Sequence, residues 1–418
     1  KLCKKMLKVL FETPHPWNTF KDPCNIRYTN QHEGSVHSSN LCTEITLHTK
    51  PSSYKSGKKT EIGETAVCNL GSINLVNHLR QLWDTKGNLE GTDINWTKLG
   101  KTIKTAIRML DNVIDLNFYP TEEAEKSNLR HRPIGLGMMG LHDILHMLNV
   151  NIDSDEAVEF NDKLFEFYSK NAIFSSSKLA EERGKYGSFI GSLWDQDCLP
   201  KDSWNNLQEY RGKRKTHKTN FKWEEVRESI KEHGMRNSNV MAIAPTATIG
   251  YINGVEQSIE PNYSTLFVYE NKSGNSYIVN EHFINDMKAE GLWSIDMANL
   301  VKSVDGDISL LNGEIPDWIK SKYKTVFNRD MFKLIDSNGA RQKWMDQSIS
   351  FNLYNSTTSL KYLNDIYMKC WEAGLKTTYY LRNKAASKVE KSTEEEAQVK
   401  PPETGACNIT DPSCESCQ

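Results

Sequence analysis

Val240-Met241-Ala242-Ile243-Ala244-Pro245-Thr246-Ala247-Thr248-Ile249-Gly250 is the stretch on which the fold turns. Its first five residues form a short apolar run with no polar alternation, the pattern of a strand buried on both faces. Pro245 ends that run, and the small residues behind it lead into a helix start. Strand, small-residue turn, helix is the unit from which α/β sheets are built, so the chain reads as α/β. The turn itself carries two readings. Its free amides suit a phosphate, and Thr246 or Thr248 equally suits an ordinary N-cap.

Working outward, Leu99, Ile103, Ile107, Leu110, Val113 and Ile114 recur at helical spacing, which predicts an amphipathic helix over Thr97–Leu116. Residues 141–183 hold two further helical patterns, the second opening at Ser154-Asp155-Glu156 and closing at Gly184. A strand is expected at Ala66–Leu70, a helix at Leu360–Trp371 and a last element at Leu375–Leu381. Residues 1–50 read as a short basic helix, a Pro-Trp turn region over Pro14–Pro23, a polar loop and a strand. From about Ala385 the Lys/Glu/Ser/Pro-rich sequence lacks apolar periodicity and cannot offset its ordering entropy. Two regions follow: a catalytic domain over 1–384 and a flexible tail over 385–418.

The charges bound the function. With 52 basic and 54 acidic residues the formal charge is -2, so no global field draws the chain to nucleic acid or to a membrane surface. Mean hydropathy is -0.62, and neither a membrane span nor a signal-peptide core is present, so a cytoplasmic protein is the default. Nine cysteines in 418 residues are too sparse for a disulfide scaffold and suggest reduced thiols, a few of them redox-active.

Ser39-Asn40-Leu41-Cys42-Thr43-Glu44-Ile45-Thr46-Leu47 is the densest chemistry. As a strand it would put Asn40, Cys42 and Glu44 on one face, each neighbour roughly 6–7 Å from the thiol, with Leu41, Ile45 and Leu47 behind. The bland reading is a structural cysteine with two polar neighbours. Cys414-Glu415-Ser416-Cys417 places two thiols in the tail, where exchange through a mixed disulfide needs access and mobility more than a fold. Half of a zinc site is the weaker reading, because no second ligand pair lies nearby. Tyr379-Tyr380 suits a strand, and would matter further if an electron crossed the protein in steps.

Two motifs mislead. Gly135-Leu136-Gly137-Met138-Met139-Gly140 matches a dinucleotide fingerprint but follows Arg130-His131-Arg132-Pro133 instead of an apolar strand, so tight helix packing is expected there. His142-Asp143-Ile144-Leu145-His146 imitates a zinc-hydrolase helix, yet Asp is a methylene short of the required Glu and no third ligand is evident. No resident metal is expected.

Six stretches, taken in order, resemble the large subunit of class I ribonucleotide reductase. They are Ser39–Ile45, Ala66-Val67-Cys68-Asn69-Leu70-Gly71-Ser72, Arg132–Gly137, Ala244–Thr248, Gly374–Tyr380 and the Cys-tipped tail. The resemblance implies a ten-stranded α/β barrel with an internal finger loop and Cys42 at its tip. It further implies that Cys42 becomes a thiyl radical that takes the 3'-hydrogen of a ribonucleoside diphosphate, with Glu44 as general base and Asn40 bonding the sugar hydroxyls. Cys68 would be half of the reducing dithiol, renewed by Cys414 and Cys417 and in turn by thioredoxin or glutaredoxin; a part for Cys407 is left open. Tyr380 and Tyr379 would relay the radical from a small subunit that holds the radical metal cofactor. Thr246, Ala247, Thr248 and Ile249 would hold the diphosphate.

One departure from the family matters. Its second reducing cysteine and its allosteric nucleotide sites lie upstream, and only Cys3 and Cys24 precede Cys42, neither in matching context. The chain therefore reads as the C-terminal portion of a subunit, a piece or one half of a split one, inactive without its N-terminal portion. Rival readings are a non-catalytic assembly piece of a split reductase and a zinc hydrolase at His142 and His146.

Overall fold

The computed structural model describes residues 2–384 apart from Thr85, Gly87, Asn88, Lys272, Ser273 and Asn312. The tail with Cys407, Cys414 and Cys417 lies outside the described residues.

Parallel strands form the centre. Asn69–Asn74 pairs in parallel with Ile134–Met139. Leu136 bridges Met241, and Ile243 bridges Ile349, both in parallel. Leu353–Asn355 then pairs in parallel with Leu381–Asn383. Backbone bonds continue the series, with Ser350 N donating to Ile243 O and Tyr379 N to Phe351 O. The spatial order is therefore 69–74, 134–139, 240–243, 347–355 and 379–383, and each connection carries helices, as parallel neighbours require. The α/β reading stands. These pairings do not close into a ring among the described residues, so the structure by itself shows one run of parallel strands.

The helices follow the sequence pattern closely. Trp96–Leu116 is capped by Asn95, whose side chain accepts from Lys98 N, and buries Leu99, Ile103, Ile107, Leu110 and Ile114. Val113 instead faces outward, 42% exposed, beyond the edge of the buried stripe. Asp155–Arg183 is capped by Ser154 and closed at Gly184, as its sequence predicts. The helix expected near Leu360 runs from Leu360 to Glu372.

The glycine motif is corrected. Ile134–Met139 is a fully buried strand, so Gly135 and Gly137 serve strand contact and not helix packing. A Cβ on Gly135 would lie 2.9 Å from Ala242 Cβ and 2.5 Å from Leu70 Cδ2, and one on Gly137 would lie 2.7 Å from Ala242 O. All three distances are inside van der Waals contact, and a side chain there would force the sheet apart. Gly140, at φ +76, turns the chain into the helix Leu141–Met147. The expected strand at Ala66–Leu70 starts later, at Asn69.

The segment 264–323 adds the hairpin Leu266–Asn271/Gly274–Val279 and small helices. Phe283, Met287, Val301, Ile308, Ile315 and Ile319 pack there into a second apolar cluster.

Candidate active site

Asn40–Glu44 is not a strand. Thr43 N donates to Asn40 O at 3.1 Å, and Thr43 sits at φ +70, so the chain makes a tight turn with Cys42 at its tip. The cause is local. Asn40 Oδ1 accepts from Ile45 N at 3.1 Å, the short-range side-chain bond by which Asn competes with a strand ladder. Leu41, expected on a buried back face, is 79% exposed.

Three neighbours hold this turn against the parallel strands. Ser348 N donates to Glu44 O at 2.9 Å, Thr377 Oγ1 to Thr43 O at 2.8 Å, and Ser350 Oγ bonds both Cys42 O and, at 3.2 Å, Glu44 Oε2. Glu44 is buried and Cys42 half-buried, so the two still converge although the strand geometry that suggested it is absent. Asn40 is exposed, and its side chain also bonds Glu44.

Tyr379 completes the cluster. Its hydroxyl donates to Cys42 Sγ at 3.6 Å, and its ring meets Tyr380 at a centroid distance of 4.3 Å. Arg382 lies over the Tyr380 ring at 4.6 Å. Trp17, which the sequence reading passed over within its turn region, touches both phenols, at 5.2 Å and 5.3 Å.

Burial governs the protonation states. It raises the Cys42 thiol above its ordinary range, the Tyr379 hydrogen bond opposing it only in part, so the sulfur keeps its hydrogen at neutral pH. Burial likewise raises Glu44, against hydrogen bonds from its own backbone, Asn40 and Ser350. A carboxyl held up in this way holds a proton more readily than a free one, which brings it closer to the working range of a general base. Cys68, pushed up to about 12 by burial, is also a thiol, and Gln347 Nε2 donates to its Sγ at 3.5 Å.

The turn at Thr246 opens beside these residues. It leaves the sheet just past Ile243, whose partner Ile349 lies between Ser348 and Ser350, the residues that hold the Cys42 turn. The Thr246 turn sits past the carboxyl end of the strand that reaches Ile243, the place where α/β proteins gather their ligand sites, and the Cys42 turn is held beside it by Ser348 and Ser350. Thr246 is left-handed at φ +51 and its Oγ1 accepts from Ser258 N at 2.8 Å, so it does not cap Ala247–Ile252 with its side chain. Ala247, Thr248 and Ile249 are exposed.

Histidines engage elsewhere. His142 Nδ1 accepts from Asn262 N at 2.7 Å and His146 Nε2 bonds Asn262 Oδ1 at 2.7 Å, with burial holding both imidazoles well below their usual range. The donor group compact enough to suggest a metal is a different one, His48, Glu64 and His131. There Glu64 Oε2 meets His48 Nε2 at 3.0 Å and His131 Nε2 at 3.1 Å, while Arg130 Nη1 donates to Oε1 at 2.8 Å. Burial opposes the Glu64 charge, but bonds from His131, Arg130 and His48 hold the carboxyl at about 2. Arg130 already balances this carboxylate, so a divalent cation would bring uncompensated charge into a buried site.

Ser348, Ser350 and Gln347 were missed from sequence. The two serines had a signal, since Ser348-Ile349-Ser350-Phe351 alternates polar and apolar with period two, whereas Gln347 stands outside that alternation.

Comparison with known proteins gives the family. The chain matches the barrel domain of ribonucleotide reductase over residues 1–381. It is 49% identical, over 94% of its own length, to the ribonucleoside-diphosphate reductase subunit alpha of Chlamydia pneumoniae, of which it covers 36%. It is 36% identical to the large subunit from Plasmodium falciparum over 93% of the chain and 45% of that protein. For the large subunit of Arabidopsis thaliana the values are 34%, 96% and 48%. The chain thus spans between about a third and a half of the length of these curated relatives, and it belongs to the ribonucleotide reductase barrel-domain family.

Proposed function

We propose that this chain is the catalytic C-terminal portion of a ribonucleoside-diphosphate reductase large subunit, and that it reduces ribonucleoside diphosphates through a thiyl radical on Cys42. One observation carries the reading: a buried phenol, Tyr379, points its hydroxyl at the Cys42 sulfur with a second phenol in contact behind it, its ring tilted by 50°. The relatives' printed names supply the reaction, reduction of a ribonucleoside diphosphate.

In this reading Tyr379 in its oxidised form takes the hydrogen atom of Cys42. An O–H bond forms, an S–H bond breaks and the unpaired electron passes to sulfur. Cys42 then takes the ribose 3'-hydrogen, and Glu44 accepts the 3'-hydroxyl proton. The 2'-oxygen departs as water with a proton from one of two thiols. The pair supplies two electrons and two hydrogens in all, the second going to C2', and closes to a disulfide, after which Cys42 returns the hydrogen atom to C3' and Glu44 the proton to its oxygen. Cys68 is one of the two thiols; the other comes from the upstream portion of the subunit. Asn40 bonds the sugar hydroxyls, and the amides of Thr246 to Ile249 take the diphosphate. Burial supports these roles, because it keeps Cys42 as the hydrogen donor S–H and raises Glu44 toward the pH at which a base works.

Partners follow from the parts this chain lacks. A small subunit, which would hold the radical metal cofactor, passes the radical in through Tyr380. The upstream portion completes a ten-stranded barrel from the parallel strands at 69–74 through 381–383 and carries the allosteric nucleotide sites. Cys414 and Cys417 reduce the spent disulfide and are renewed by thioredoxin or glutaredoxin.

Cys42→Ser in the complete large subunit, assayed with its small subunit for deoxyribonucleotide formation, tests the reading. Loss of turnover with unchanged subunit assembly is expected. Turnover by Cys42→Ser at the wild-type rate would leave the chain a non-catalytic assembly piece.

A further inference from the structure

Trp17 packs on the phenol pair from outside the reacting line. Its segment is bound to the segment that precedes the tyrosines: Thr19 bridges Thr377, Phe20 N donates to Lys376 O at 2.8 Å, and Thr378 N donates to Asn18 O at 2.9 Å. These bonds fix the indole beside Tyr379 at 5.2 Å and edge-on to Tyr380 at 5.3 Å and 87°. The His15 ring lies 5.1 Å from Trp17 and 5.8 Å from Tyr380, extending the same aromatic wall.

An indole in van der Waals contact with two phenols invites a role as a third carrier, and two observations argue against it. Trp17 Nε1 is buried with no hydrogen-bond acceptor among the described residues. A phenol beside Cys42 can give up its hydrogen atom along an existing O–H···S line. Oxidised Trp17 has no group to take its N–H proton, so it would remain a cation radical. The second observation is charge: the Arg382 guanidinium lies over Tyr380, on the ring that Trp17 touches edge-on, and a positive charge there disfavours a second one on the indole.

Leaving that N–H unbonded also has a cost, because a buried donor gives up water and gains no acceptor in exchange. Ring area and shape offset it. Trp17 closes the outer side of the phenol stack, and a hydroxyl-to-sulfur contact as long as 3.6 Å depends on the Tyr379 ring staying where it is.

We propose that Trp17 is a positioning residue for the Tyr379–Tyr380 pair: it holds the two rings in register with Cys42 and keeps the unpaired electron on the phenols by being unable to release its own proton. This rests on the radical reading above, in which Tyr379 and Cys42 exchange one hydrogen atom.

The test uses the complete large subunit assembled with its small subunit, comparing wild type, Trp17→Ala, Trp17→Phe and Tyr379→Phe. Trp17→Ala is expected to lower kcat by up to about a hundredfold, the scale of a misplacement near 1 Å, with KM for the nucleotide unchanged. Trp17→Phe restores the ring without the N–H and is expected to recover most of that rate. Electron paramagnetic resonance during wild-type turnover is expected to show no indole radical. Wild-type kcat in Trp17→Ala, a Trp17→Phe as slow as Trp17→Ala, or an indole-centred signal would each overturn the inference. Tyr379→Phe separates the two levels. If it turns over like wild type, the radical route itself fails; if it is inactive while Trp17→Ala is unaffected, only the part given to Trp17 fails.

Discussion

Ser350 offers the sharpest handle on the base role proposed for Glu44. Its buried hydroxyl bonds Cys42 O and Glu44 Oε2, so Ser350→Ala removes one bond to the carboxyl and one to the turn. The turn retains Thr43 N to Asn40 O, Thr377 Oγ1 to Thr43 O and Ser348 N to Glu44 O, and is expected to keep its shape. The electrostatic effect then dominates. A hydrogen bond to a charged group is worth about 1.5–3 kcal/mol, and at 3.2 Å the lower figure applies. Divided by 1.36 kcal/mol per pH unit, the loss raises Glu44 by about one further unit above a value that burial already lifts. The base works only as carboxylate, so activity disappears as pH falls through this pKa, and a higher pKa moves that acid limb upward. Profiles of kcat/KM against pH for the assembled reductase should show the limb displaced by about one unit in Ser350→Ala. Ser350→Thr, which keeps the hydroxyl, should restore it. An unmoved limb with a folded protein would mean that Glu44 does not set the pH dependence, and the base assignment would fall.

Three further outcomes follow from packing and charge. Gly135→Ala puts a Cβ 2.5 Å from Leu70 Cδ2, 2.9 Å from Ala242 Cβ and 3.4 Å from Cys68 Sγ. A loss of about 1–3 kcal/mol is expected in urea unfolding, and an equally stable variant would contradict the close approach. Glu64→Gln strips the charge that Arg130, His48 and His131 share; about 3 kcal/mol should be lost, the low end for a broken buried pair because Arg130 is partly exposed. Stability should also fall in mild acid. Burial lowers His131 to about 4 despite Glu64, so between pH 6.5 and 4 the unfolded chain binds a proton that the folded one refuses. The full difference is about 3 kcal/mol below pH 4, and unfolding measured at pH 7.5 and 5 should show part of it in wild type and less in His131→Gln.

Local rules were readable where local physics decides. The Asn95 and Ser154 caps, the apolar stripe Leu99 to Ile114 and the stop at Gly184 depend on neighbours within a few residues along the chain. Cys42 misled for a related reason. Period-two spacing suggested a strand, but Asn40 had a closer bond available, to Ile45 N, and the chain turned. The glycines of 135–140 misled because their use is nonlocal: the backbone they admit belongs to Ala242 and Ile243, over a hundred residues away.

The sequence by itself determined the α/β class and the helices of the middle region, and it offered Cys42, Glu44 and Tyr379 as candidate groups, because composition, period and residue type are carried by single positions and their near neighbours. Tertiary structure alone decided that Tyr379 reaches Cys42, that Ser350 binds Glu44 and that Trp17 walls the phenols. Those contacts join residues some 300 or more apart in the chain, and such pairs meet only when parallel strands bring their ends to the same side of one sheet.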